Sequence, residues 1–246
     1  MSRTPRIYLP EMSTDADTIV MGEQAARHLV RVLRLRAGDA FNVFDGRGLE
    51  RRARLLSAGK REATAELHEV IGNRCESPLN MTLLQGICRG ERMDYVMQKA
   101  TELGVSTIRP VVTARCVVRP DASRVDKRLA HWAGVTASAC EQCGRAVVPA
   151  ISAPVDFDKA IAEAGHEGLQ LVMDPLSGRP PGTFSTATDQ VTVIVGPEGG
   201  LNQAEISAAL DAGFVAASLG PRVLRTETAA VAILAVLQSL WGDLGL

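Results

Sequence analysis

The chain has 246 residues, a formal net charge of −1 and 46% hydrophobic residues, which is the composition of a globular protein with a sizeable core in one or two domains. Its longest apolar run, Ala229 to Leu237, is too short to span a bilayer, and no apolar stretch follows the arginine-containing N-terminus. We therefore expect a cytoplasmic protein without a membrane segment or a secretory signal.

The five cysteines give no disulfide framework, because their number is odd and their spacing is irregular. Cys140 and Cys143 form one CxxC pair, but a structural zinc site needs a second pair of ligands, which the sequence does not offer at metal-binding spacing. Two small residues on a helix are the simpler interpretation, and we expect no metal.

Positive charge is concentrated in the first part of the chain. Residues 1–145 carry 23 Lys and Arg against 17 Asp and Glu, whereas residues 146–246 carry 4 against 11. Only four of the 27 cations are lysines, and the planar guanidinium of arginine suits phosphates and base edges. This distribution is a weak indication of a nucleic acid partner.

Residues 1–72 predict a small β domain with one helix. RIYL at 6–9 predicts a strand, and the stretch at 40–58 predicts two strands joined at the turn-forming pair Asp45-Gly46. A helix is predicted over 23–34. This arrangement is typical of a small, partly closed barrel.

The predicted helix has arginines on one face and apolar residues on the other. At 100° steps the arginine face holds Arg27, Arg31 and Arg34, and the opposite face holds Leu29, Val32 and Leu33. The solvated face of an amphipathic helix would also explain this pattern. Further arginines follow nearby: Arg36, Arg51, Arg52 and Arg54. Their number favours a surface that contacts a phosphate backbone.

Residues 73–246 predict a second domain, whose first residues, NRCESPLN, form a linker. Strands then alternate with helices, and several strands are continuous apolar runs, such as VTVIV at 191–195. This alternation indicates an α/β architecture with a parallel sheet that is covered on both faces.

Two successive strands of this sheet end in related glycine–proline loops. VTVIV leads into Gly196-Pro197-Glu198-Gly199-Gly200, and FVAASL leads into Gly220-Pro221 and then RVLRTET. Ligands bind beyond the carboxyl ends of strands in open α/β sheets, so we expect both loops at one binding edge.

The first loop matches neither a Walker A loop nor a dinucleotide fingerprint. Its glycines can adopt positive φ and let a ligand touch the main chain. Asn202 and Glu205, however, form a plausible helix-capping pair, so a purely structural turn remains an alternative.

The second loop places a polar cluster at the start of a helix that is apolar nearly all round. Its members are Arg222, Arg225, Thr226, Glu227 and Thr228. Because such a helix is buried in a core or an interface, the cluster is held rigidly. A rigid polar cluster beside a glycine loop indicates a binding site.

Together the two loops, GPEGG and LGPRVLRTETA, resemble those of the 16S ribosomal RNA uridine-N3 methyltransferases, the small-subunit methyltransferase E family of the SPOUT trefoil-knot superfamily. The resemblance extends over essentially the whole chain through RHLVRVLRLRAGD, QKATELGV and EQCGR. LGPRVLRTETA is highly specific, whereas GPEGG alone is moderately so.

The resemblance implies a PUA-like RNA-binding domain at 1–72 and a trefoil-knotted methyltransferase domain at 73–246. It implies S-adenosylmethionine as the cofactor, N3 of a specific uridine in 16S ribosomal RNA as the methyl acceptor, the 30S ribosomal subunit as the substrate, and a homodimer. The lack of a lysine in GPEGG fits a cofactor that carries no phosphate.

The motifs and the arginine face together define the expected site residues. The expected cofactor-binding residues are Leu171, Gly196, Pro197, Gly199, Gly200, Leu219, Gly220, Val223, Leu224 and Thr226. Arg225 is expected to stabilise negative charge that develops on uracil, and Glu227 or Glu198 to orient the base or accept its proton. The expected RNA-binding residues are Arg27, Arg31, Arg34, Arg36, Arg51, Arg52, Glu141, Gln142 and Arg145.

Two other functions remain open at this point. The same fold could methylate ribose 2′-oxygens of ribosomal or transfer RNA, although the LRTETA sequence favours N3 methylation. The chain could also be a non-catalytic RNA-binding assembly protein, which would not need a cofactor pocket.

Overall fold

The computed structural model describes residues 4–14, 16–72, 75–117, 122–165, 167–184 and 189–245. The chain divides into two compact units. Unit 1 comprises Met1–Glu76 and Ala137–Val148, and unit 2 comprises Ser77–Thr136 and Pro149–Leu246. Each unit has a hydrophobic core of its own.

Unit 1 is built on a five-stranded sheet. Its strands are β1 (Arg6–Tyr8), β2 (Thr18–Met21), β3 (Ala40–Phe44), β4 (Glu50–Ala58) and β5 (Ala63–Val70). They lie in the order β1-β3-β4-β5-β2, with β1 parallel to β3 and the other neighbours antiparallel. Apolar residues such as Ile7, Phe41 and Leu55 fill the core, which confirms the predicted small β domain.

The helix of unit 1 departs from the prediction. α1 (Glu23–Arg27) continues as a π-helical turn at His28–Val32. A π turn contains more residues than an α turn, so the predicted 100° steps no longer apply. Val32, predicted to face the core, is 66% exposed, and Arg34 follows the helix with a φ of +56°.

One predicted RNA-binding residue of β4 lies in the interior instead. The Arg51 guanidinium donates to the carbonyl oxygens of His68, Thr14 and Ala16 at 2.8–3.1 Å. Because successive strand residues point to opposite faces, the neighbouring Arg52 is exposed. Arg51 therefore holds separate segments of unit 1 together and does not belong to an exposed arginine surface.

The EQCGR segment has structural partners within unit 1. The Arg145 side chain is 5% exposed and pairs with Glu76 at 2.9 Å, while the Glu141 carboxylate accepts a hydrogen bond from the Tyr8 amide at 3.0 Å. Arg145 is therefore buried and paired within unit 1, whereas the prediction expected it at an RNA-binding surface. Glu141 is half-buried and Gln142 is exposed, and their predicted RNA contacts stay predictions.

Unit 2 contains a parallel sheet of seven strands. They are β6 (Asn80–Gly86), β7 (Thr107–Val112), β8 (Ala150–Ile151), β9 (Val155–Asp156), β10 (Leu169–Met173), β11 (Gln190–Val195) and β12 (Val215–Ala217). The order is β12-β10-β11-β6-β7-β8, and β9 also pairs with β7. β10, β11 and β12 are thus neighbours that run in the same direction, so their carboxyl ends lie at one edge, as predicted for the two loops.

Helices cover both faces of this sheet. They are α2 (Gly90–Glu102), residues 125–136 of α3 (Val125–Cys143), α4 (Phe157–Ala162), α5 (Gln203–Asp211) and α6 (Thr226–Trp241). α2 and α6 pack in one core and α4 and α5 in another, and alternate residues of each central strand enter the two cores. This arrangement confirms the predicted α/β architecture, whereas the trefoil knot stays a prediction.

None of the helices in the described ranges is both long and apolar enough to cross a membrane.

Candidate active site

Unit 2 contains a cavity of about 390 Å³ at the carboxyl ends of β10, β11 and β12. The segments that follow these three strands form its walls. Nine predicted site residues line it: Gly196, Pro197, Glu198, Gly199, Gly200, Leu219, Val223, Leu224 and Thr226. The two glycine–proline loops are therefore parts of one site.

Four of the predicted cofactor-binding and catalytic residues do not line the cavity. Leu171 is fully buried in the middle of β10, where it packs in the core. Gly220 forms the turn after β12 with a φ of +77°. Arg225 and Glu227 lie next to the lining residues in sequence but outside the lining itself.

The third wall was missed by sequence reasoning. The cavity is lined by Met173, which ends β10, by Asp174, Pro175 and Leu176, which follow it, and by Arg115 after β7. The sequence signal was present, because Asp174-Pro175 directly follows an apolar strand and the carboxyl ends of neighbouring parallel strands share an edge.

The glycines of the first loop serve two different purposes. Gly200 has a φ of +68°, which favours glycine. Gly196 and Gly199 have ordinary φ but no room for a side chain. A Cβ added at Gly196 would lie 2.8 Å from the Leu201 amide nitrogen, and one added at Gly199 would lie 2.9 Å from Arg115 Cβ. The predicted freedom to adopt positive φ thus applies to Gly200, and the other two permit close packing of protein against protein.

A buried hydroxyl joins the two loops. Thr226 Oγ1 donates to the Gly196 carbonyl at 2.6 Å and accepts from the Gln85 side-chain amide at 3.0 Å. Gly86, next to Gln85 on β6, has no room for a Cβ because the Pro197 nitrogen would lie 2.5 Å away. The first loop, the start of α6 and the end of β6 are therefore held in one arrangement.

The two glutamates of the site share one arginine of α2. Glu198 Oε1 accepts from Arg92 Nη1 at 3.1 Å and from the Arg89 amide at 2.9 Å, and Glu227 Oε1 lies 3.8 Å from Arg92 Nε. Burial raises the pKa of Glu198, but hydrogen bonds from the Arg89 amide, its own backbone and Arg92 outweigh burial and hold that pKa below its usual range. Glu198 is consequently ionised at neutral pH and is a weak proton acceptor.

Cys88 faces the two glutamates. Burial, and then the charges of Glu198 and Glu227, raise the pKa of its thiol to about 12. The thiol is therefore neutral at physiological pH and is not a nucleophile. Among the described residues, no cluster of three or more His, Cys, Asp or Glu side chains could hold a metal ion.

Two arginines of the second loop remain exposed. Arg222 lines the cavity, and Arg225 directly precedes α6. Neither side chain forms a hydrogen bond or an ion pair with the residues that the structure describes. Both guanidinium groups are thus available to a ligand.

Five of the arginines predicted to bind RNA are exposed in unit 1. They are Arg27, Arg31, Arg34, Arg36 and Arg52. Arg27 pairs with Glu23 at 2.6 Å and Arg52 with Glu69 at 3.0 Å, both at the surface. Surface pairs of this kind contribute little to stability, so these arginines are free to exchange partners.

Comparison with known proteins gives consistent matches along the chain. Residues 75–238 match a family described as an RNA methyltransferase domain, and residues 22–67 match an RNA methyltransferase PUA domain. A ribosomal RNA small subunit methyltransferase E from Synechocystis is 33% identical, over 95% of this chain and 77% of its own.

Two solved structures are more similar still. A ribosomal RNA small subunit methyltransferase E from Neisseria gonorrhoeae, bound to S-adenosylmethionine, is 40% identical with a TM-score of 0.92, covering 98% of this chain and 99% of its own. A protein from Legionella pneumophila, solved in complex with S-adenosylmethionine, is 39% identical with a TM-score of 0.93, covering 98% of this chain and 100% of its own.

Replacing Thr226 by valine, which has nearly the same shape but no hydroxyl, should leave the Gly196 carbonyl and one N–H of the Gln85 amide unpaired. We expect the free energy of unfolding, measured by chemical denaturation, to fall by about 2 kcal/mol. Thr228→Val, at an exposed position of the same helix, is the matched control and should change it by less than about 0.5 kcal/mol. Equal stabilities of the two variants would show that the hydroxyl does not hold the loops together.

Proposed function

Since this chain belongs to the ribosomal RNA small subunit methyltransferase E family, we propose that it methylates N3 of a specific uridine in 16S ribosomal RNA. The family membership makes the chain an S-adenosylmethionine-dependent ribosomal RNA methyltransferase. From the site we propose which atom receives the methyl group.

The observation that carries the proposal is that both glycine–proline loops line one cavity. Its volume of about 390 Å³ lies in the range of small-molecule sites. Main-chain groups of the first loop and apolar side chains such as Leu219, Leu224 and Ala229 line it, which suits an adenosine. No lysine in the described part of the chain lines it, and S-adenosylmethionine has no phosphate that would need one. The residues present therefore fit this cofactor.

We propose that Gly196, Gly200 and the apolar side chains of the second loop hold the adenosine. S-adenosylmethionine supplies an electrophilic methyl group when it is bound. N3 of uridine carries a proton, and its loss leaves negative charge on the base. We propose that the exposed Arg225 guanidinium, which directly precedes the lining residue Thr226, stabilises that charge.

We propose an orienting role for the two glutamates. Glu198 is a weak proton acceptor, because its pKa is held below the usual range. With Glu227 it holds the Arg92 guanidinium from two sides. This charge pairing fixes α2 beside the first loop and offsets one of the two negative charges near an anionic base.

We propose that unit 1 binds ribosomal RNA through its exposed arginines. A target uridine in folded RNA has to be unstacked before it can react, at a cost of a few kcal/mol. Phosphate contacts by unit 1 would offset this cost, which favours the 30S subunit over a short oligonucleotide. We also propose a homodimer, as the family resemblance implies.

The methyl acceptor is tested by product analysis. We expect 30S subunits from cells that lack this protein to yield 3-methyluridine after incubation with the purified protein and S-adenosylmethionine, detected by nuclease digestion and mass spectrometry. A ribose-methylated nucleoside would instead show that the protein methylates a ribose 2′-oxygen and not N3. Absence of any methylated nucleoside, despite cofactor binding, would favour a binding protein.

The arginine surface of unit 1 is tested through the salt dependence of RNA binding. Replacing Arg31, Arg34 and Arg36 together with glutamine should weaken binding to 30S subunits and flatten its salt dependence, by up to about one unit of slope per lost phosphate contact. The control is Lys60→Gln with Arg61→Gln, two exposed cations of the hairpin between β4 and β5. An unchanged slope in the triple variant would mean that these arginines only face solvent.

Arg225→Ala should separate catalysis from cofactor binding. A donor that stabilises developing charge acts mainly in the transition state, and losing one costs about 10²–10³ in rate. We expect single-turnover methylation to fall by that factor with little change in S-adenosylmethionine affinity. Arg225→Lys should recover part of the rate, because an ammonium cannot reproduce the planar fork. Equal losses of rate and affinity would instead assign the charge-stabilising role to Arg222.

A further inference from the structure

Arg115, which sequence reasoning missed, connects the turn after β7 to the first glycine–proline loop. Its Nη1 atom donates to the Gly199 carbonyl at 3.0 Å and to the Leu201 carbonyl at 3.3 Å. Hydrogen bonds from a charged donor are stronger than neutral ones. Two of them from one nitrogen fix the path of the loop where it leaves the cavity.

The turn that carries Arg115 is itself tightly held. The Cys116 amide donates to the Thr113 carbonyl at 3.2 Å, and Cys116 Sγ lies 3.4 Å from the Ile87 carbonyl oxygen. The Ala114 amide donates to Glu205 Oε1 at 2.7 Å. Glu205 also completes the predicted capping box at the start of α5. The guanidinium is therefore presented from a fixed backbone.

Gly199 packs directly on this arginine. A Cβ added at Gly199 would lie 2.9 Å from Arg115 Cβ and 3.4 Å from its carbonyl oxygen. Contacts of 2.9 Å between carbon atoms are well inside van der Waals distance. The absence of a side chain at Gly199 thus serves the contact with Arg115.

We propose that Arg115 is a positioning residue that holds the first loop in its cofactor-binding conformation. The inference rests on the proposed function, since it takes the cavity to be the S-adenosylmethionine site. Arg115 acts through the loop, whose main chain meets the adenosine part of the cofactor. Its loss should therefore lower the affinity for every ligand that contacts the loop, whatever group the ligand carries at its other end.

The test compares two ligands by calorimetry: S-adenosylmethionine, and 5′-methylthioadenosine, which has the adenosine but lacks the amino-acid end. Arg115→Gln should lower the affinity for both ligands by about tenfold, the usual effect of losing a charged hydrogen bond. Arg115→Lys should recover part of the affinity for both. The control Arg109→Gln removes an arginine of β7 that pairs with Glu163 away from the cavity, and both affinities should stay unchanged.

Each deviation has a defined meaning. Loss of S-adenosylmethionine affinity alone would overturn the positioning role, because it would show a direct contact of Arg115 with the carboxylate of the cofactor. Unchanged affinity for both ligands would also overturn it. Failure of the unaltered protein to bind S-adenosylmethionine would refute the proposed function itself. Thermal unfolding of each variant verifies that it is folded.

A second pair of variants tests the packing contact. With Arg115 present, Gly199→Ala should lower the affinity for both ligands, because the new Cβ displaces Arg115. In an Arg115→Gly background the same substitution should cost little, since the clashing Cβ is gone. Such non-additivity is expected of residues in contact. Equal costs in the two backgrounds would show that Gly199 and Arg115 act independently.

Discussion

The hydrogen bond from the Thr226 hydroxyl to the Gly196 carbonyl is the interaction on which the candidate site depends. It connects the end of β11 to the start of α6, which are remote in sequence. Because the same oxygen accepts from the buried Gln85 side chain, the hydroxyl uses its donor and one acceptor position at once. Rotating it away would leave buried polar groups unpaired, at a cost of a few kcal/mol. The walls of the cavity therefore keep their separation without a ligand, as a preorganised site requires.

The first loop shows that a glycine-rich motif can serve the protein as much as its ligand. Gly200 has the positive φ that the motif predicts. Gly196 approaches the main chain at Leu201, and Gly199 rests on Arg115. Two of three glycines are thus explained by close packing that builds the loop. A substitution at either position would change the shape of the cavity indirectly, so its effect on binding need not reflect a direct contact.

How much of the structure could be predicted depends on how local its causes are. β11 and its loop follow from adjacent residues, since VTVIV is continuously apolar and Gly196-Pro197 ends it. The position of Arg51 does not follow from adjacent residues. One of its acceptors is the Thr14 carbonyl, and two strands, β2 and β3, lie between Thr14 and Arg51 in the sequence. The prediction that Val32 faces the core is wrong for a related reason, because the π-helical turn changes which residues face the core. Periodicity identifies elements well, but it cannot identify a buried charge whose partners are distant.

The balance of charge around the cavity supports the role proposed for the arginines of the second loop. Glu198 and Glu227 would disfavour negative charge on a nearby base, and Arg92 neutralises only one of them. A reaction that leaves charge on the base therefore needs further cations. The turn at Gly220 requires glycine for its φ of +77°, but nothing in its backbone requires Arg222 or Arg225, which are exposed and without partners among the described residues. Because an exposed arginine adds little to the stability of a turn, their presence supports the role in the reaction proposed for them.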